Sequence, residues 1–187
     1  MAKIDRNSTM TVTNEQRERV AALLGRDPRG LEAIPVLDDA GEPRVIRVCS
    51  QVDGKPFPTL FWLVDPVLNY RIDQEEARGL IKVFQGRVNA QPTLQVAMCN
   101  DHEAHISLRD SYISSALRNS LEAAGFASVL AGRGIGGIAD FSRIRCLHTW
   151  YAAHLVVPNT IGRMLDEYWS AAAAATDDGR LPVHADS

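Results

Sequence analysis

The sequence is poor in three things, and each shortage excludes something. It has three cysteines in 187 residues, Cys49, Cys99 and Cys146. An odd number at wide, irregular spacing argues against a disulfide framework and for a reducing compartment. It has no long apolar run: the stretch 59–64, the longest near the middle, is far too short to cross a bilayer. It has no surplus of positive charge either, with 20 Lys and Arg against 23 Asp and Glu and a net charge of -3, so the chain as a whole is not tuned for nucleic acid. The opening residues, MAKIDRNSTMTV, contain a lysine but no apolar core of a secretory signal, and a cytoplasmic protein is expected. No internal repeat is visible, and the alanine run after Trp169 is the one low-complexity segment.

What is present is an ordinary globular composition, 45% hydrophobic and 23% charged, at a length suited to one domain with its own core. Residues 1–12 read as a tail, 13–170 as the domain and 171–187 as a second tail. Thr13 opens TNEQRERVAALLG, with Glu and Gln in the first turn and Gly25 just past the end, the start and stop signals of a helix. Arg26 and Arg29 follow in a turn. Two β-branched runs, 33–37 and 44–50, flank DDAGEP and predict a hairpin. The segment 59–64, fenced by Pro58 and Pro66, predicts a third strand covered on both faces. From residue 67 to 90 an apolar stripe at helical spacing predicts a helix, its polar side (Asp73, Glu75, Glu76, Arg78) read as a solvated face. The stretch 93–123 predicts one long helix or two shorter ones.

The reactive side chains concentrate in residues 132–155, GRGIGGIADFSRIRCLHTWYAAHL. Ser142 is read as the N-cap of a helix carrying Arg143, Arg145, Cys146, His148 and His154. The glycine-rich turn before it contains G-x-G-x-x-G but follows an alanine-rich helical segment, and no acidic residue about 20 positions on completes a dinucleotide fingerprint. Two readings of that turn stay open. Its amides and the helix N-terminus hold a phosphate or carboxylate, helped by Arg133, Arg143 and Arg145, or the glycines simply let two elements pack. For a metal, Cys146, His148 and His154 supply zinc-type ligands, with His102 and His105 as helpers. On one continuous helix they do not converge: Cys146 and His148 diverge by roughly 200°, so one of them must sit in a non-helical entry turn and further ligands must come from elsewhere. A third option is a nucleophilic thiol at Cys146 beside His148, with Asp140 as the nearest acid in sequence.

In order, LGRDPRG, GEPRVIRV, GKPFPTLFWLVDP and GIGGIADFSRIRCLHTWYAAHL resemble DUF501, a bacterial family with no assigned activity, over about 24–162. Pro56, Phe57, Pro58, Thr59 and Leu60 match its first block, and Arg145, Cys146, Leu147, His148 and His154 its second. The resemblance implies small cytosolic proteins, in actinobacteria encoded near a septum-formation protein and an exopolyphosphatase-like protein, and hence a link to cell-envelope or phosphate physiology.

These readings predict an α+β domain: a small three-stranded, mainly antiparallel sheet packed against about five helices. The expected function is binding of a small anionic ligand, with zinc as the candidate metal, in a pocket between the PFPT segment and the Arg-Cys-x-His helix. The ligand residues expected are Pro58, Thr59, Gly136, Gly137, Arg143 and Arg145, and the metal residues Cys146, His148 and His154. The alternative is a non-enzymatic adaptor in division or envelope control, meeting a protein partner through surface residues such as Arg26, Arg29 and Trp169. Neither nucleic acid nor a membrane span is expected.

Overall fold

Local signals decide where most elements start, in a computed structural model that describes residues 12–177. Helix α1 (Asn14–Leu24) begins at Thr13, whose hydroxyl accepts from the Gln16 amide while the Gln16 side chain returns to the Thr13 amide, a reciprocal capping box. Strand β1 (Leu31–Leu37) then turns through Asp38–Gly41 into β2 (Pro43–Val48), antiparallel. A two-residue ladder, β3 (Gln51–Val52) with β4 (Lys55–Pro56), follows, and β5 (Phe61–Leu63) pairs antiparallel with β2. The larger sheet therefore runs β1-β2-β5. As expected, it is three-stranded and antiparallel, and the fold is α+β.

The helical half is more divided than the periodicity implies: the described residues hold eight α-helices where about five are expected. Asp65 caps α2 (Pro66–Ala77), accepting from the amides of Val67 and Leu68, and Pro66 occupies the first turn, where its missing N–H costs nothing. The expected helix over 67–90 breaks at Gly79, whose φ of 86° lies in the left-handed region, and resumes as α3 (Leu80–Ala90). The stretch 93–123 divides into α4 (Pro92–Tyr112) and α5 (Ser115–Ala123), with Ser114 capping the second. A short helix α6 (Ala127–Ala131) and a single 3-10 turn (Ile135–Gly137) lead to α7 (Leu147–Val156) and α8 (Thr160–Asp177). Helix α8 passes position 170, where the sequence reading ends the domain. The remainder of that expected tail, and residues 1–11 of the one expected over 1–12, lie outside the described residues.

The sheet is covered on both faces. Ile46, Val48 and Val64 pack with Val20 of α1, while Val45, Phe61 and Leu63 join the main core with α2, α3, α4, α7 and α8. At the centre lies α7, where Leu147, Trp150, Tyr151, Ala152, Ala153 and Val156 are all buried. A helix apolar on all sides is one the core encloses. No helix of the described residues is long and apolar enough to cross a membrane.

Candidate functional site

The site forms where α7 begins, and α7 begins later than the sequence predicts. Ser142 does not cap it. Asp140 instead accepts from both the amide and the hydroxyl of Ser142, closing a local turn that holds the Asp140 carboxyl below its ordinary range. The next residues stay extended, with Gln85 of α3 donating to the Ser142 carbonyl and accepting from the Ile144 amide. Helix α7 starts at Leu147 after Cys146 at φ -156°, and the Leu147 amide donates to Glu76 Oε1 at 2.5 Å. A carboxylate of α2 thus does what a local N-cap side chain usually does.

That arrangement brings three reactive groups together. Because Cys146 is extended and His148 helical, their side chains converge rather than diverge, and Cys146 Sγ lies 3.6 Å from His148 Nδ1. Glu76 Oε1 lies 3.4 Å from the same nitrogen. Ligand atoms of Glu76, Cys146 and His148 all fall within 4.8 Å of one another, and all three side chains are half-buried. The other ring nitrogen, Nε2, faces the Asn69 carbonyl at 3.3 Å and Asp73 Oδ1 at 3.3 Å. The hydrogen bond to Cys146, opposed by burial and assisted by the charge of Glu76, pushes His148 up to about 9. The three cysteines are free, as their spacing predicts.

A pocket of about 280 Å³ adjoins this cluster, lined by Thr59, Phe61, Trp62 and Leu63 from the β5 region and by Asn69, His148 and Thr149. The PFPT segment and the start of α7 are therefore neighbours. The glycine turn joins them by close contact: a Cβ on Gly137 would sit 3.0 Å from Pro58 Cγ, and one on Gly136 would sit 2.6 Å from Thr149 Oγ1. Its amides are largely spent inside the protein. Gly134 donates to Ile138, Ile135 to His102 Nδ1, Gly137 to Gly134 and Ile138 to Ile135. Of the two readings of this turn, close packing is the one the geometry fits.

Other expected members stand elsewhere. Arg143 and Arg145 are exposed on the extended lead-in and do not line the pocket. His154 is away from the cluster: its Nε2 donates to Asp166 at 2.9 Å, its Nδ1 accepts from the Asn159 amide, and Tyr151 donates to the same Asp166 carboxylate. Both ring nitrogens are thereby occupied in tying α7 to α8. His102 and His105 share a buried face of α4 with Arg109 and are not members of the Glu76–Cys146–His148 cluster. The adaptor surface also thins: Trp169 is buried beneath Arg71, Arg26 stacks on Trp62 and Arg29 pairs with Asp53.

Sequence reasoning missed Glu76, Asp73, Asn69 and Arg109. Both acids read as a solvated face, which holds for exposed Asp73 but not for Glu76, half-buried against the start of α7. Nothing local distinguishes an acid that meets solvent from one that meets another helix's first turn. Glu75 beside them is the buried one, accepting from Tyr168 and pairing with Arg78.

With this geometry in view, the chain belongs to the DUF501 family, described as protein of unknown function, whose family model matches residues 34–167. That span includes the sheet's paired strands β2 and β5 and every residue of the cluster and the pocket. No curated protein and no solved structure matches the chain.

Proposed function

We propose that the protein binds a small amphipathic ligand in the pocket between β5 and the start of α7, with the apolar body on Phe61, Trp62 and Leu63 and an acidic end toward Thr59, His148 and Thr149. The observation that carries this reading is the mixed lining of the pocket, where apolar Phe61, Trp62 and Leu63 meet polar Thr59, Asn69, His148 and Thr149. His148 and Thr149 belong to the first turn of a ten-residue helix. Amides in a helix's first turn have no intrahelical partner, and the helix dipole favours negative charge there; Glu76 already takes the Leu147 amide, and the ligand's acidic end is assigned to the neighbouring positions. Pro58, Gly136 and Gly137 do not line the pocket; the two glycines pack against Thr149 and Pro58, and Thr59 is the contact from the PFPT segment.

The test is a thermal-shift screen of the full chain against small carboxylates and phosphomonoesters with apolar bodies, and against amine counterparts of the same size. A specific binder at about 100 times its Kd stabilises by about 2.7 kcal/mol, a rise of about 5–10 °C for a domain of this size. Thr59→Val and Trp62→Ala should abolish the rise while leaving the unliganded Tm within a few degrees. Shifts with amines and none with acids would reverse the assigned polarity. Shifts untouched by both substitutions would place binding outside this pocket.

A further inference from the structure

We propose that Glu76, Cys146 and His148 form a three-ligand centre for a thiophilic divalent cation, with zinc as the type, at the polar edge of the pocket. The inference deepens the pocket reading and shares His148 with it.

Distances come first. In a tetrahedral zinc site with Zn–S about 2.3 Å and Zn–N or Zn–O about 2.0–2.1 Å, neighbouring ligand atoms stand about 3.5 Å apart for S–N and about 3.3 Å for N–O. Here Sγ to Nδ1 is 3.6 Å and Nδ1 to Oε1 is 3.4 Å. The two separations at Nδ1 match the spacing such an ion imposes, and Sγ and Oε1 lie within 4.8 Å of each other.

The surroundings point the same way. A histidine that ligates a metal through one nitrogen usually gives the other N–H to a carbonyl or carboxylate, which fixes the tautomer. His148 presents Nε2 to the Asn69 carbonyl and Asp73, leaving Nδ1 to face Cys146 and Glu76. The Glu76 oxygen that faces Nδ1 also accepts the Leu147 amide, a second hold on its orientation. One sulfur, one imidazole nitrogen and one carboxylate oxygen suit zinc and disfavour magnesium or calcium, which take oxygen sets. Three protein ligands leave a fourth position, the arrangement of sites that admit water or a ligand. His148 lines the pocket as well, so that position and the acidic end of a pocket ligand lie within reach of one another.

The competing use of these residues is a thiol nucleophile with His148 as base. A carboxylate on the nitrogen that must take the thiol proton competes for that proton, whereas a cation satisfies sulfur, nitrogen and oxygen together. The geometry favours the cation.

The test is elemental analysis of untagged full-length protein, loaded with zinc under reducing conditions and desalted, followed by cobalt substitution. Wild type should retain zinc at near-stoichiometric level and show thiolate-to-cobalt charge-transfer absorption. Cys146→Ser should lose that absorption and at least tenfold of the zinc, and Glu76→Gln should lose zinc while still able to accept the Leu147 amide. Cys99→Ser should match wild type. Circular dichroism identifies any variant that fails to fold, and cobalt spectra of the folded wild type decide the matter independently of the variants. Wild type that holds neither metal, or Cys146→Ser that holds zinc as well as wild type, would overturn the inference. Metal-free protein in which Cys146 alkylates much faster than Cys99 would assign the nucleophile instead. The two readings fail separately: Thr59→Val and Trp62→Ala should keep the metal, and a metal-free protein that still binds acidic ligands would leave the pocket standing.

Discussion

Arg109 is completely buried on α4, and among the described residues it forms no salt bridge, although the charge of Asp110 next to it in sequence acts on it. Its guanidinium donates to the carbonyls of Pro58 at 3.1 Å and Arg133 at 2.7 Å, and also to that of Leu130. Burial lowers its pKa from the ordinary value. Its work is to tie the PFPT segment to the loop that ends in the glycine turn, so two of the pocket's neighbours are held by one side chain. Removing it relieves a buried charge but takes this donor from the part-buried carbonyls of Pro58 and Arg133, at about 1–3 kcal/mol each, while the Leu130 carbonyl keeps the Arg133 amide, and the second effect should win. Arg109→Met is expected to cost about 3 kcal/mol in urea unfolding and to loosen the pocket. Arg109→Lys should recover only part of it, because an ammonium cannot span three carbonyls in a planar fork. A loss below about 1 kcal/mol in Arg109→Met would mean the carbonyls find other partners. Arg109 was illegible in the sequence because an arginine in a long helix looks like any solvated one. The pairing of Cys146 with His148 was half legible. Their residue types stand out in the sequence, but helical geometry drives positions i and i+2 apart, and only the extended backbone of Cys146 brings them together.

Among the elements, those that begin on their own chemistry were readable and those that begin on a neighbour's were not. Thr13 supplies a local cap, and the start of α1 follows from sequence. Helix α7 draws its first hydrogen bond from Glu76, 71 residues earlier, so its start at Leu147 rather than after Ser142 is a tertiary fact. The three strands of the larger sheet were legible for the opposite reason, since apolar runs bounded by turns leave few alternatives, whereas the two-residue ladder β3–β4 reads as a plain turn. The borrowed cap makes a prediction. Glu76→Ala should destabilise the protein by about 1 kcal/mol, the usual cost of a lost cap, while Glu76→Gln, which keeps an acceptor oxygen, should cost markedly less. Chemical denaturation of both variants in the presence of a chelator separates this role from metal binding. Equal losses would mean that the charge on Glu76, rather than its oxygen at the Leu147 amide, is what matters.

At the scale of the whole molecule, α4 runs through the main core carrying Met98, His102, His105 and Arg109 on one buried face, so the interior holds two imidazoles. His102 stacks on Phe141 and meets Trp150 edge-on, and its Nδ1 accepts the Ile135 amide. His105 packs edge-on against Phe61, and its Nε2 has no hydrogen-bond partner. Burial pushes His102 down to about 4 and His105 down to about 3, the latter also through the charges of Arg109 and His102. In the unfolded chain both rings titrate near 6.5. Above that pH both states are neutral and the rings cost nothing. As pH falls below it the unfolded chain gains protons that the fold refuses, so stability drops by about 1.4 kcal/mol per pH unit for each ring until the folded values are reached. The decline should begin between pH 6.5 and 5, above the range in which ordinary carboxylates protonate, and lower the urea midpoint steadily across that window. His105→Leu, of similar size and without a titrating group, should roughly halve the slope. A variant with the wild-type slope would show that the acid sensitivity arises outside the α4 face, and a wild type equally stable at pH 7 and 5 would show that both rings take up protons inside the fold.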